Sequence, residues 1–404
     1  MSEAKLSGRK AGSGNSLIVI GVCVLANMVD GFDVMAIAYT GGAIMGEWSL
    51  DPAMLGYLFS AGLAGMMLGS LFISPFADMF GRRRVALACM AAMAAGMFAS
   101  GLAQSVEQLL ALRLFTGLGI GGILATLNTV VAETAPPARR NLAISVFSMG
   151  YPAGSMLGGL VAVAVMDGQG WQWVFFAGGI GTFIVFLLNW AFLPEPRQQR
   201  SAGAPRFPLK TFVAPGVRSG TIIICLAFFL NMMSFFFILN WTPKLVENLG
   251  LSREIGVTAT LLLNFGSLAG GLSYGVLADR LGWKRVCQIY FASFAVLIAI
   301  FGLLPAAVAP LFVVAILAGI FMAGAMTSLY ALAPIVFPPE IRAGGTGLAI
   351  GIGRFGATLG PIIAGYALAS GVDRAPLYIL FAIPPLLVVL LMQTLRPRPD
   401  AVAA

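Results

Sequence analysis

Apolar residues run through this chain in blocks of about twenty to thirty, separated by short polar stretches, with no sustained two-residue alternation of half-buried strands. An uncharged run of that length crosses a bilayer as a helix, since about twenty residues at 1.5 Å each span the hydrocarbon. Twelve such helices are predicted, at about residues 16–41, 53–74, 84–104, 107–131, 141–165, 172–194, 219–243, 255–278, 285–304, 308–336, 343–369 and 375–395. The longest polar interruption, from Pro194 to Arg218, is rich in Pro, Arg and Gln and separates six spans from six. The predicted organisation is a tail over residues 1–15, a six-helix bundle over 16–194, a linker over 195–218, a second six-helix bundle over 219–395 and a tail over 396–404.

Composition narrows the class. Of 404 residues, 59% are hydrophobic and only 10% charged, against about 25% charged in soluble domains. The chain therefore reads as an all-α membrane protein and not as a soluble enzyme. It contains no histidine, which removes the commonest metal ligand and the imidazole proton relay. Cys23, Cys89, Cys225 and Cys287 stand singly in apolar runs, with no spacing for a disulfide framework or a metal. No cofactor or metal is expected, and any transported proton must ride on Asp or Glu.

The cations are distributed asymmetrically. Among the 24 Lys and Arg residues, only Lys244, Arg253 and Arg374 lie on one side of the predicted membrane, and Arg113 and Arg354 fall inside spans. All the others lie on the opposite side, which the positive-inside rule assigns to the cytoplasm, together with both termini, in a cell inner membrane. This arrangement accounts for the net charge of +8 without a nucleic-acid partner.

The halves repeat. Ala77-Asp78-Met79-Phe80-Gly81-Arg82-Arg83-Arg84-Val85 matches Ala278-Asp279-Arg280-Leu281-Gly282-Trp283-Lys284-Arg285-Val286 at an offset of 201 positions, close to half the chain. An even number of spans between the copies keeps them parallel, so an axis along the membrane normal relates the bundles.

The strongest chemical signal lies within the first span. Asp30 and Asp33 are i and i+3, on one helix face, at a depth where each carboxylate costs about 2.5 to 3.5 kcal/mol on insertion scales. Two acids so close in a poorly solvated place cannot both ionise cheaply, which suits them to carry a proton. Gly31 between them allows a local unwinding instead. Arg113 lies about 9 Å from the outer end of its span, at a depth similar to the acids, and is expected to pair with at least one of them. Arg354 lies about 18 Å beyond Arg342, near the midplane, and no acid occupies any predicted span of the second half. An anionic substrate would supply its missing charge through a bidentate contact.

The repeated loop resembles the G-x-L-A-D-R-x-G-R-[RK] signature of the major facilitator superfamily, with Trp283 at the first basic position of the second copy. Asp30-Gly31-Phe32-Asp33 is similar to the D-G-x-D motif of the aromatic acid:proton symporter family. Arg113 in Leu112-Arg113-Leu114-Phe115-Thr116-Gly117, Glu133 with Pro136 and Arg139 or Arg140, and Gly353-Arg354-Phe355-Gly356 resemble other segments of that family. The resemblance implies the major facilitator fold: twelve transmembrane helices in two pseudo-symmetric bundles. It implies a monomeric carrier in the bilayer that imports a small organic, aromatic carboxylate with protons as coupling ion. Asp30, Asp33 and Arg113 would couple protons, while Arg354, Phe32, Asn240, Trp241 and Asn264 would bind substrate. Asp78, Gly81, Arg82, Glu133, Arg140, Asp279, Gly282, Arg285 and Arg342 would gate the cytoplasmic face.

Two other transport readings share parts of the pattern. A niacin-like carrier would use the same charges. A polyspecific drug:proton antiporter fits the phenylalanines of the seventh span and the glycines from Gly150 to Gly159. A receptor or membrane enzyme fits poorly, as no nucleophile motif and no sizeable soluble domain is present.

Overall fold

The computed structural model describes residues 13–74, 76–136, 139–194, 211–212, 214, 216–338 and 341–395. Residues 1–12 of the predicted first tail, the whole of the second tail and most of the predicted linker lie outside the described residues, while residues 13–15 already belong to the first helix. Thirteen helices are described: α1 (Ser13–Glu47), α2 (Pro52–Phe72), α3 (Phe76–Phe80), α4 (Arg82–Gly101), α5 (Val106–Thr134), α6 (Arg140–Gln169), α7 (Gln172–Phe192), α8 (Arg218–Glu247), α9 (Arg253–Leu281), α10 (Trp283–Leu303), α11 (Val308–Val336), α12 (Arg342–Ala369) and α13 (Arg374–Thr394). All but the short α3 are long and apolar enough to cross a membrane, making twelve candidate spans.

Several helices outrun their predicted spans. The last turns of α1 and α8 carry polar residues that hydropathy leaves out, and α8 continues through Pro243 to Glu247. The α1 helix passes unbroken through Gly31, which keeps both acids on one helix and leaves out the alternative of an unwinding between them. Local signals set the starts. Asp51 accepts a 2.7 Å bond from the Met54 amide with Pro52 at the first turn of α2, and Ser105 accepts one from Gln108 at 3.4 Å to open α5.

The repeated loop now has a physical account. Gly81 and Gly282, the matching glycines, hold φ of +96° and +82° immediately before α4 and α10. Side chains other than hydrogen avoid that region, so the turn itself demands glycine at both places.

The same offset reappears in the packing. In the first half α2 lies against α5, where a Cβ on Gly65 would press into the Leu114 carbonyl. In the second half α9 lies against α11, where a Cβ on Gly266, 201 positions later, would press into the Ile316 carbonyl. Gly154 of α6 also faces the Met28 carbonyl of α1, and Gly356 of α12 faces the Phe229 carbonyl of α8, the two carbonyls 201 positions apart and the two glycines 202. With no hydrophobic force between helices in lipid, such close backbone approach supplies the dispersion contact that holds each bundle together.

The halves meet chiefly through α2 with α12, α6 with α9, and α1 with α8. Their polar links lie away from the end that carries Arg82, Arg140, Arg285 and Arg342, here the basic end. Tyr57 and Tyr366 share a 2.7 Å hydroxyl bond, Ser60 donates to the Thr358 carbonyl at 2.7 Å, and Arg253 lies 3.6 Å from Asp167. Glu247 is 3.6 Å from the Arg253 Nε and 3.3 Å from Lys244.

Gly65→Ala is expected to overpack the α2–α5 seam by about 1 to 3 kcal/mol, lowering the melting temperature in detergent by several degrees. Gly351→Ala, where a Cβ meets nothing within 4 Å, is expected to leave it unchanged; equal melting of the two variants would contradict this packing account.

Candidate functional site

Among the described residues only three charged side chains are fully buried: Asp30, Asp33 and Arg113. Arg113 Nη1 donates to Asp33 Oδ1 at 2.5 Å, with both side chains 2% exposed. Its Nη2 donates to Ser100 Oγ at 2.8 Å and lies 3.3 Å from Met97 Sδ, and the guanidinium stands 4.9 Å from the centre of the Phe175 ring. Four helices, α1, α4, α5 and α7, thus converge on one cation. The expected pairing of Arg113 with an acid of α1 is present, and the chosen acid is Asp33.

Asp30 is left over. Neither of its oxygens has a hydrogen-bond partner, although both are buried. Gly31 lets the Tyr151 carbonyl of α6 sit where a Cβ would be, which brings Tyr151 against this turn of α1. The Tyr151 hydroxyl is likewise buried and unpartnered.

Arg354 approaches from the other half. It is half-buried, its Nη1 is 3.8 Å from Met66 Sδ of α2, and its Nε is buried without a partner. No carboxylate lies within ion-pair distance of it among the described residues. Its charge nevertheless reaches Asp30 and Tyr151 across the junction, and Tyr330 of α11 on its own side. Tyr330 is 42% exposed and stands edge-on to Phe228, 5.4 Å between ring centres.

Other expected substrate contacts sit elsewhere. Phe32 is 6% exposed and packs against Gly158 of α6 and Gly178 of α7. Two residues along a helix is a turn of 200°, so a side chain two beyond Asp30 points into the first bundle and not toward Arg354. Trp241 gives its indole N–H to the Pro361 carbonyl at 3.2 Å and packs edge-on to Phe59, so it belongs to the seal between halves. Asn240 and Asn264 donate to carbonyls four residues back, Phe236 at 2.8 Å and Thr260 at 2.9 Å, which leaves the Asn240 carbonyl oxygen buried and unpartnered.

At the basic end Arg82 meets Glu133 at 2.5 Å, a pair within the first half, 29% and 50% exposed. Arg140, Asp279, Arg285 and Arg342 are exposed, and the Asp78 side chain lies outside the described residues. The residues missed by sequence reasoning are Tyr151, Tyr330, Ser100 and Met66. A helical projection placing Tyr151 four residues before Ser155, which bonds Tyr39 of α1, is the signal that could have found the first of them.

Two six-helix bundles holding uncompensated charges at their junction define a multi-pass carrier fold. The Major Facilitator Superfamily model matches residues 23–311 and 265–404, and the chain belongs to that family. A gallate transporter of Pseudomonas putida is 31% identical over 91% of this chain and 89% of its own. A 3-(3-hydroxy-phenyl)propionate transporter of Escherichia coli strain K12 is 30% identical over 91% of each. The inward open xylose transporter XylE of Escherichia coli superposes with a TM-score of 0.77 at 18% identity, covering 95% of this chain and 96% of that one.

Asp33→Asn keeps the side chain's shape but leaves the Arg113 cation buried without its counter-charge, and breaking one side of such a pair costs about 3 to 5 kcal/mol. Asp33→Asn is expected to melt at least several degrees below wild type, whereas Asp33→Leu combined with Arg113→Met recovers much of the loss. A double variant no more stable than Asp33→Asn would show that the pair itself holds the bundle.

Proposed function

We propose that this protein imports an aromatic carboxylate together with protons across a cell inner membrane, by alternating access of a site between its two bundles. The observation that carries this reading is the Arg354 cation, which has no acid in ion-pair distance among the described residues and lies within electrostatic reach of the unpartnered Asp30. A half-buried guanidinium needs an anion, and a carboxylate offers it two parallel bonds. The substrates for which the relatives are named, gallate and 3-(3-hydroxy-phenyl)propionate, support an aromatic acid.

In the proposed cycle Asp30 takes a proton from outside while the substrate carboxylate docks on Arg354. Both stray charges are then neutral, and the bundles rock about the site to release substrate and proton inward. Asp33, held by Arg113, fixes α1 and sets the field at Asp30. The basic end is cytoplasmic, with both termini on that side, and the contacts of Tyr57, Ser60 and Asp167 seal the outer face in the conformation described here. Asp78, Gly81, Arg82, Glu133, Arg140, Asp279, Gly282, Arg285 and Arg342 serve the inner gate, where the charged members gain further ion pairs as that face closes, beside the pair Arg82 already makes with Glu133. The protein works as a monomer and performs no catalysis. The glycines of α6, which suited a drug antiporter, are explained by the close approach of Gly154 to Met28.

Proteoliposomes holding the wild-type protein are expected to accumulate 4-hydroxybenzoate under an inward proton gradient. Asp30→Asn should abolish the gradient-driven component, and Arg354→Ala should raise KM by tenfold or more, since a charged hydrogen bond is worth about 1.5 to 3 kcal/mol. Wild-type protein that accumulates no aromatic acid, while protecting cells against lipophilic cations, would overturn the proposal in favour of drug export.

A further inference from the structure

We infer that the Tyr151 hydroxyl is a substrate contact which, with Asp30, binds a ring hydroxyl and makes hydroxylated aromatic acids the preferred substrates; this rests on the carboxylate reading above. The argument starts from three polar groups that converge from three helices and satisfy none of one another's hydrogen bonds: Asp30 of α1, Tyr151 of α6 and Arg354 of α12. Both Asp30 oxygens, the Tyr151 hydroxyl and the Arg354 Nε are buried and unpartnered, and Asp30 is 1% exposed. Electrostatic contact among them is mutual, since Tyr151 senses the charges of both Asp30 and Arg354.

Their positions are imposed by backbone packing. Gly31 admits the Tyr151 carbonyl at α1, and Gly154, one turn further on, admits α6 to the Met28 carbonyl. A phenol fixed between two such contacts has little freedom to seek another partner. The neighbouring Tyr39 has found one, bonding Ser155 at 3.0 Å to its carbonyl and 3.2 Å to its hydroxyl, so the idle hydroxyl of Tyr151 is the exception on this seam.

The ligand that completes the set follows from donor and acceptor bookkeeping. A carboxylate answers Arg354 but offers no donor to Asp30. A hydroxyl is both donor and acceptor: it gives its proton to Asp30 and accepts one from Tyr151. An aromatic ring carrying both groups satisfies Arg354, Asp30 and Tyr151 together, while the unhydroxylated ring leaves an acid and a phenol buried without partners. Sites built around a substrate hydroxyl reject the analogue that lacks it for this reason.

The test compares binding of benzoate, 3-hydroxybenzoate, 4-hydroxybenzoate and 3,4,5-trihydroxybenzoate to the full-length protein in detergent, by calorimetry, for wild type and Tyr151→Phe. Wild type is expected to bind at least one hydroxylated acid tenfold or more tighter than benzoate. Tyr151→Phe should lower that preference about tenfold while its benzoate affinity stays at the wild-type value, which also shows that the variant is folded. Should Tyr151→Phe lose benzoate binding as well, Tyr151→Trp and Tyr151→Leu are compared for expression and melting; native melting with all acids lost equally would overturn the hydroxyl assignment. Equal affinity of the wild type for benzoate and every hydroxylated acid would overturn this inference and leave the carboxylate reading standing. Failure of the wild type to bind any of the four acids would overturn both.

Discussion

The ion pair between Arg113 and Asp33 constrains the rest of the site. A buried pair adds little net stability, because the desolvation of both ions offsets their attraction. What it imposes is position. The guanidinium is held by Asp33 from α1, Ser100 and Met97 from α4 and Phe175 from α7, and shifting any one of these helices would strand a charge in the low-dielectric interior. The first bundle is thereby fixed as a unit around α1. A single guanidinium serves one of the two acids, so Asp30 stays without a partner at the junction.

Two strengths of contact coexist in the molecule. Within each bundle, helices touch backbone to backbone at glycines, as at Gly65 and Gly266, and nothing there can slide without a clash. Between the bundles, part of the joining is done by exposed hydroxyls such as Tyr57 with Tyr366 and by ion pairs such as Arg253 with Asp167, 37% and 69% exposed. Exposed pairs of that kind contribute less than about 1 kcal/mol each. The seam also has close backbone approach, since a Cβ on Gly56 of α2 would press against the Pro361 carbonyl of α12 and one on Gly365 against the Pro52 carbonyl, so a rocking motion must part both kinds of contact.

Much of this was legible in the sequence because lipid removes alternatives. Backbone bonds must close within each span, so length and hydropathy predicted twelve helices, and the paired loops revealed the repeat before any coordinate did. The glycines at 81 and 282 could be seen as repeated but not as positive-φ turns until the backbone was placed. Depth alone predicted that Arg113 pairs with at least one of the two acids, and the structure selects Asp33. Phe32 and Trp241 were misplaced since depth says nothing about azimuth: each sits at a useful height but faces its own bundle or the seal. Tyr151 and Tyr330 were invisible for a related reason, as hydropathy puts both inside spans without saying which way either side chain faces, and only the packing of Gly31 and Gly154 sets Tyr151 against the turn of α1 that carries Asp30. The link between Arg253 and Asp167 joins residues far apart in the chain and needed the fold.

The asymmetry between the halves is itself a functional constraint. Among the described residues the acids of the second half, Glu247, Glu254, Asp279 and Asp373, all lie at or near helix ends, so none of these stands at the depth of Arg354. An acid there would neutralise Arg354 permanently, as Asp33 does Arg113, and would convert a responsive charge into a static one. Placing the spare acid on one bundle and the spare base on the other makes their electrostatic energy depend on what occupies the space between them. In the proposed cycle the pair is settled by a proton and an anion together more completely than by either alone, and that joint requirement would couple one movement to the other.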